Sequence, residues 1–212
     1  MDGSSSGTLQ AHPPASLGDR PKRRRGARLE LAISRAVLEE LATVGFGGLT
    51  FEGVAHRAKT GKSALYRRWP TKTDLVIESI LENLPNPQEA PGTGSLREDL
   101  LSFLGDVAAG LMGPVGIAMR VLFAEAAGDS RLRSAIRERI IEPRRKALTG
   151  IIAEACRRGE VREDALIPET AEVGPALLVQ RFLETGDSAI SRQVVVRIVD
   201  KVLLPLLASD RS

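Results

Sequence analysis

Apolar residues recur at helical spacing wherever the chain carries a readable pattern. Ile33, Val37, Leu41 and Val44 are spaced by four, four and three, which marks one face of a helix. The run Gly45–Gly48, "GFGG", is expected to stop it, because glycine takes the left-handed geometry of a helix end. Thr50 then reads as the N-cap of a second, short helix whose apolar face is Phe51, Val54, Ala55 and Ala58. A tight turn around Lys59 to Gly61 leads into a third helix over about 62–68, where Leu65 and Trp69 lie one turn apart and point inward. Pro70 ends it, and Thr71 caps a fourth helix with Ile77, Ile80, Leu81 and Leu84 on its apolar face.

The segment Pro85 to Gly94, "PNPQEAPGTG", holds three prolines and two glycines and is the best domain boundary. Beyond it longer helices are expected over about 96–112, 115–127, 130–158, 168–185 and 191–207, with kinks or restarts at Pro143 and Pro175. No strand-period segment is evident. The expectation is an all-α chain with a lead and basic arm over 1–26, taken as disordered. A three-helix helix-turn-helix unit follows over 27–84, then a linker over 85–95 and a larger helical domain over 96–208.

Charge sharpens this picture. The formal net charge is +3, yet residues 20–28, "RPKRRRGAR", hold six cations and no anion, while 29–83 hold seven of each sign. A basic arm beside a mixed-charge domain points to a polyanion partner. The single cysteine, Cys156, rules out an intramolecular disulfide and fits a reducing, cytoplasmic setting, most simply as a helix residue. No apolar run reaches the ~20 residues that span a bilayer, and the Ser/Gly/Pro-rich start lacks a signal-peptide pattern. Catalysis has few candidates: of two histidines, His12 lies in the lead and His56 on a short helix, with no zinc spacing and no phosphate-binding loop. Neither an enzyme nor a cofactor or metal is expected.

The stretch Gly61 to Lys72, "GKSALYRRWPTK", gathers Lys62, Arg67, Arg68 and Lys72 with the chain's one Tyr and one Trp. As the first turns of a reading helix, Lys62, Ser63, Ala64, Tyr66 and Arg67 suit contact with base edges and phosphates, with Trp69 turned inward. The wider run "TFEGVAHRAKTGKSALYRRWPTKTDLV" resembles the DNA-binding signature of the TetR family of bacterial transcriptional regulators. "IIEPRRKAL", "RRGEV" and "EVGPALLVQRFLETG" are similar to the C-terminal half of one subclass. The resemblance implies phosphate contacts from Thr50 and Lys72 and base or phosphate contacts from Lys62, Ser63, Ala64, Tyr66 and Arg67. Two departures stand out: Lys59 occupies a turn position where glycine is usual, and Ala64 can at most touch a thymine methyl. Arg23, Arg24 and Arg25 of the arm suit an adjacent minor groove.

The same resemblance implies a homodimer released from a palindromic double-stranded DNA operator by a small effector. The rival is a ligand-independent or architectural DNA-binding protein. Candidate ligand contacts are Phe103, Leu104, Val107, Met112, Met119, Arg120, Phe123 and Gln180, suited to a small apolar or amphipathic molecule. The last helix is apolar around more than one face, so Val195, Val199 and Val202, with Leu178 and Phe182 before it, are the expected dimer surface.

Overall fold

The computed structural model describes residues 20–87, 92–185 and 190–208; within the basic segment, side chains are described at Gly26 and from Arg28 onward. Eleven α-helices are formed among the described residues, and no strand. The first, α1 (Arg20–Gly48), begins inside the segment expected to be a flexible arm. Pro21 suits a first helical turn, where its missing N–H costs nothing, and the Lys/Arg run that follows has good helix propensity. The arm thus continues α1. At the other end Gly45 takes φ 71°, so the regular helix stops where the glycine run begins. Leu49 N–H returns to the Gly45 carbonyl, and the turn drives Phe46 and Leu49 into the core. Ile33, Val37 and Leu41 are buried as the spacing required, but Val44 is 45 % exposed. Phe46 and Leu49, arriving from the turn, fill the core at that end in its place.

Helix α2 (Phe51–Arg57) is capped by Thr50, whose hydroxyl accepts from Gly53 N–H. It closes with Lys59 at φ 51°, the one non-glycine residue with positive φ among those described. Lys59 N–H bonds the His56 carbonyl and Thr60 N–H the Ala55 carbonyl. This is the pair of bonds that a left-handed residue makes possible at a helix end. The second example closes the helix that ends at Arg157, where Gly159 N–H (φ 78°) bonds the Cys156 carbonyl and Glu160 N–H the Ala155 carbonyl. Lys59 adopts the geometry that glycine supplies elsewhere in the same chain. Helix α3 (Lys62–Arg68) buries Leu65 and Trp69, and α4 (Lys72–Leu81) is capped by Thr71 and buries Leu75, Val76, Ile77 and Ile80. Leu81 and Leu84 are half-buried.

The remaining helices are α5 (Leu96–Gly110), α6 (Gly113–Ala126), α7 (Ser130–Ile136), α8 (Glu142–Arg157), α9 (Pro168–Thr185), α10 (Arg192–Ile198) and α11 (Leu204–Leu207). A helix with a kink or restart at Pro143 was expected over 130–158. It divides into α7 and α8 through a widened π-turn over Arg137–Ile141, with Pro143 in the first turn of the restart. A second π-turn, Val199–Leu203, joins α10 to α11. Pro175 lies within one uninterrupted α9.

Two apolar cores result, and their division does not follow the proline-rich linker. The first unites α1–α4 with Ala118, Met119, Leu122 and Ala126 of α6, Leu132 and Ile136 of α7, and Ile140. The second gathers α5 and α8–α11. Leu178, Phe182, Val195 and Val199 belong to this second core and are fully or almost fully buried. They cannot form the surface of a partner contact, contrary to expectation. The last helices are apolar on several faces because α5 and α9 pack against them within one protomer. Val202, at 36 % exposure, remains outside.

Gly116 holds the α5–α6 corner. A Cβ there would fall 2.0 Å from the Leu111 carbonyl oxygen and 3.3 Å from the Phe182 ring. Backbone cannot yield as a side chain would. Gly116→Ala is expected to cost at least the about 1–3 kcal/mol typical of overpacking. A chain of this size loses ~2–4 °C of Tm per kcal/mol. Thermal unfolding followed by circular dichroism checks it, and an unchanged Tm would refute the close approach.

Candidate nucleic-acid interface and adjoining cavity

The exposed face of α3 presents Lys62, Ser63, Tyr66 and Arg67, with Ala64 half-buried. Tyr66 is 51 % exposed, and its ring stacks on Phe51 with centroids 4.4 Å apart and planes 13° from parallel. That stacking fixes the ring, so the phenol projects from a rigid base. Lys62 makes a long, exposed contact of 3.5 Å with Glu52, worth little in water. Arg67 makes no ion pair among the described residues.

Three other cations nearby have partners. Arg68 pairs with Glu30 of α1 and, at 3.8 Å, with Glu82, and lies over the Trp69 ring. Arg57 is held by Glu40 at 2.9 Å and Glu39 at 3.3 Å, which raise its already high pKa. Lys72 Nζ donates to the Phe46 carbonyl at 2.7 Å and more weakly to Gly47, above the Phe46 ring. In the DNA-free protein Lys72 therefore pins the glycine turn to the start of α4. The Thr50 hydroxyl, accepting from Gly53, keeps its proton for an outside acceptor. Arg23, Arg24 and Arg25 lie on the backbone of α1, and their side chains fall outside the described residues.

Behind this face a chain of bonds runs inward through α4. Glu78 accepts from Trp69 Nε1 at 2.7 Å on one carboxylate oxygen and from Arg139 at 3.3 Å on the other. Arg139, on the π-turn between α7 and α8, also donates to Asp74 at 2.7 Å. The Thr71 hydroxyl first, and Arg139 second, hold the Asp74 carboxyl below its ordinary pKa of 3.8 against the opposing effect of burial. Farther along, Ser34, Ser79 and Asn83 form a buried polar link between α1 and α4.

A cavity of about 320 Å³ opens where the two cores meet. Leu84, Met119, Phe123 and Ile140 come from the first core or its margin, and Val107, Leu111, Ala171 and Val179 from the second. Gly110 lets Leu84 approach closely, since a Cβ there would meet Leu84 Cδ2 at 2.3 Å. Of the expected ligand contacts, Val107, Met119 and Phe123 line this space. Leu104 is solid core, and Phe103 borders a smaller recess beside Pro85 and Pro87. Met112 is exposed at the start of α6, and Arg120 lies over the Phe182 ring at 5.4 Å. Gln180 donates to Glu184 beside a shallow groove between α9 and α10. None of these three reaches the cavity: Met112 lies in the extended corner before α6, and the helical period turns Arg120 and Gln180 to the outside.

The polar groups that do reach it are Asp106, Arg144, Arg145 and Glu172. Arg145 is paired with Glu172 at 2.8 Å and Glu142 at 3.2 Å. Arg144 instead donates to two backbone carbonyls, Ile140 at 3.1 Å and Pro85 at 3.2 Å. Burial pushes its guanidinium below its ordinary pKa, and Asp106 partly offsets this. Sequence reasoning missed these residues, because a charged helix start such as Glu142–Lys146 reads as a solvated face.

Comparison with known proteins agrees along most of the chain. Residues 33–78 match the bacterial regulatory proteins of the tetR family, and residues 90–202 match the tetracyclin repressor-like C-terminal domain. An uncharacterized HTH-type transcriptional regulator of Mycobacterium tuberculosis is 29% identical over 177 residues, 84% of this chain and 85% of that protein. The DNA-binding transcriptional repressor TetR of Mycobacteroides abscessus is 26% identical over 184 residues, 86% of this chain and 96% of that one. Among solved structures, a TetR family transcription regulator superposes with a TM-score of 0.65 at 27% identity, covering 86% of this chain and 100% of its own.

The Asp74 carboxylate, held first by the Thr71 hydroxyl and then by Arg139, gives a pH signature. A depressed folded-state pKa means that the unfolded chain binds more protons, so this contribution is full above ~pH 5 and is lost as pH falls through the folded value. Asp74→Asn should therefore lower Tm at neutral pH, with the difference from wild type closing in acid. A difference independent of pH would show that the carboxylate charge is not what matters.

Proposed function

The chain belongs to the TetR family of bacterial transcriptional regulators, and on that footing we propose that it is a cytoplasmic, non-enzymatic repressor released from a palindromic operator by a small effector. That it is a DNA-binding transcriptional regulator follows from its family. In the proposed reading α3 enters the major groove. Arg67 and Lys62 meet base edges or phosphates, and the Tyr66 hydroxyl and Ser63 meet phosphate. Thr50 contributes from the start of α2, and Lys72 secures the turn beside it. The basic start of α1, with Arg23, Arg24 and Arg25, adds sequence-independent affinity.

The observation that carries effector control is the cavity at the seam of the two cores. A constitutive or architectural binder has no need of such a space, and its size falls at the lower end of small-molecule sites. An occupant would touch Leu84 at the end of α4 and Met119 on the helix that supports α1. It controls DNA binding only by favouring one of two arrangements. The homodimer is proposed through the outer face of α9, α10 and the following π-turn, where Val202 stands beside Gln180, Arg181, Arg197 and Lys201 and α9 also exposes Leu183 (50 % exposed). A two-fold pair there would present two reading helices to half-sites about 10 base pairs apart or a multiple of that.

Two neighbouring arginines test the DNA face. Arg67→Ala is expected to lose about 1–3 kcal/mol of operator affinity if it reads a guanine, while Arg68→Ala, tied to Glu30, changes affinity far less. Fluorescence anisotropy with a labelled operator measures both, and equal losses would remove α3's orientation from the account. Light scattering tests the pairing. Wild type is expected at dimer mass and Leu183→Glu/Val202→Glu at monomer mass; a monomeric wild type excludes it.

A further inference from the structure

We propose that the cavity at the seam of the two cores receives an amphipathic monoanion, an apolar body ending in one carboxylate, with Arg144 as its anchor. This rests on the reading of that cavity as the effector site and names the chemistry it selects.

The walls are apolar over most of their extent, through Leu111, Met119, Phe123 and Val179. The four ionisable groups are not equivalent. Arg145 keeps one unpartnered donor, its Nε, but its charge is balanced by Glu172 and Glu142. Asp106 is exposed and hydrated. Arg144 is the more enclosed of the remaining two and forms no ion pair among the described residues. Its bonds go to neutral carbonyls, and the exposed Asp106, with which it forms no ion pair, balances its charge only in part. A guanidinium has five N–H donors in a planar fork that matches a carboxylate, so capacity remains after Ile140 and Pro85 are served. Asp106 then sets the ligand's charge: a second negative group would meet a carboxylate near the mouth. One end anionic and the rest apolar is the description that the lining fits.

The anchor also has a route to the DNA-binding half. The Arg144 guanidinium holds the Pro85 carbonyl, four residues past the end of α4, and Leu84 lines the cavity beside it. A carboxylate drawn to Arg144 pulls on the same group that fixes the tail of α4. Binding and operator release should accordingly depend on the same residue.

The test uses the full chain and three probes of equal length kept below micelle-forming concentrations: decanoate, 1-decanol and decylamine. Isothermal titration calorimetry gives affinity, and displacement from a labelled operator gives function. Decanoate is expected to bind about 10–100-fold more tightly than decanol, the range of a charge-assisted hydrogen bond, with decylamine weakest. It should also release operator at the concentration at which it binds. Arg144→Gln should abolish the preference for decanoate over decanol, and Arg144→Lys should keep part of it. If Arg144→Gln loses its helical circular dichroism, the wild-type ranking and the lysine variant still decide. Decanol or decylamine equal to decanoate would overturn the anionic class while leaving an effector cavity in place. Failure of all three to bind or to displace operator would overturn both readings.

Discussion

The packing of α6 against α1 is the contact on which the rest of the molecule depends. Ala118, Met119, Leu122 and Ala126 complete the core beneath the DNA-binding helices, although they lie beyond the linker in sequence. Without them the reading unit would have only its own short helices to bury Val37, Leu41 and Leu75. Small domains of that size are marginal because they bury too little of their surface. The reading head is thus built on the helix that also walls the cavity, and Met119 belongs to both. Densely packed interiors transmit small displacements, so under the proposed reading an occupant at that seam would act on the support of α1.

Polar contacts refine this coupling. Glu78 stands between Trp69 at the end of α3 and Arg139 on the π-turn before α8, with one oxygen for each. Arg139 extends the link to Asp74, and Arg144 extends it to Pro85. Helix α4 is therefore held from the second half of the chain near its start, along its middle and beyond its end. The two arginines lie five residues apart, on and just after the widened turn Arg137–Ile141, and a regular helix through that stretch would set them at a different angle. With the π-turn between them, Arg139 reaches α4 and Arg144 reaches Pro85 beyond its end.

Most of the architecture was legible in the chain. Thr50 and Thr71 were readable caps, the glycine run ended α1, and Lys59 was recognisable as a residue in a glycine geometry. The ends of α9 followed from Pro168 and Thr185. What the pattern could not give was which of several apolar faces meets which neighbour. Leu178, Phe182, Val195 and Val199 looked like surplus for a dimer because a helix pattern does not reveal how many partners surround it. The cavity was half visible, since Val107, Met119 and Phe123 share its wall, but Arg144 became apparent only once the π-turn placed it opposite Pro85. Such irregular turns leave no periodic trace in the sequence.

Trp69 is the only tryptophan in the chain and stands at the joint between reading helix and α4, so it reports on the central claim without a label. Its emission should be followed in DNA-free protein while a cavity occupant is titrated, in parallel with operator release. If the seam of the two cores governs the reading head, the Trp69 signal will change and saturate at the occupant concentration that releases DNA, and Glu78→Gln will weaken both responses together. Operator release with Trp69 emission and quencher accessibility unchanged would contradict coupling through α4.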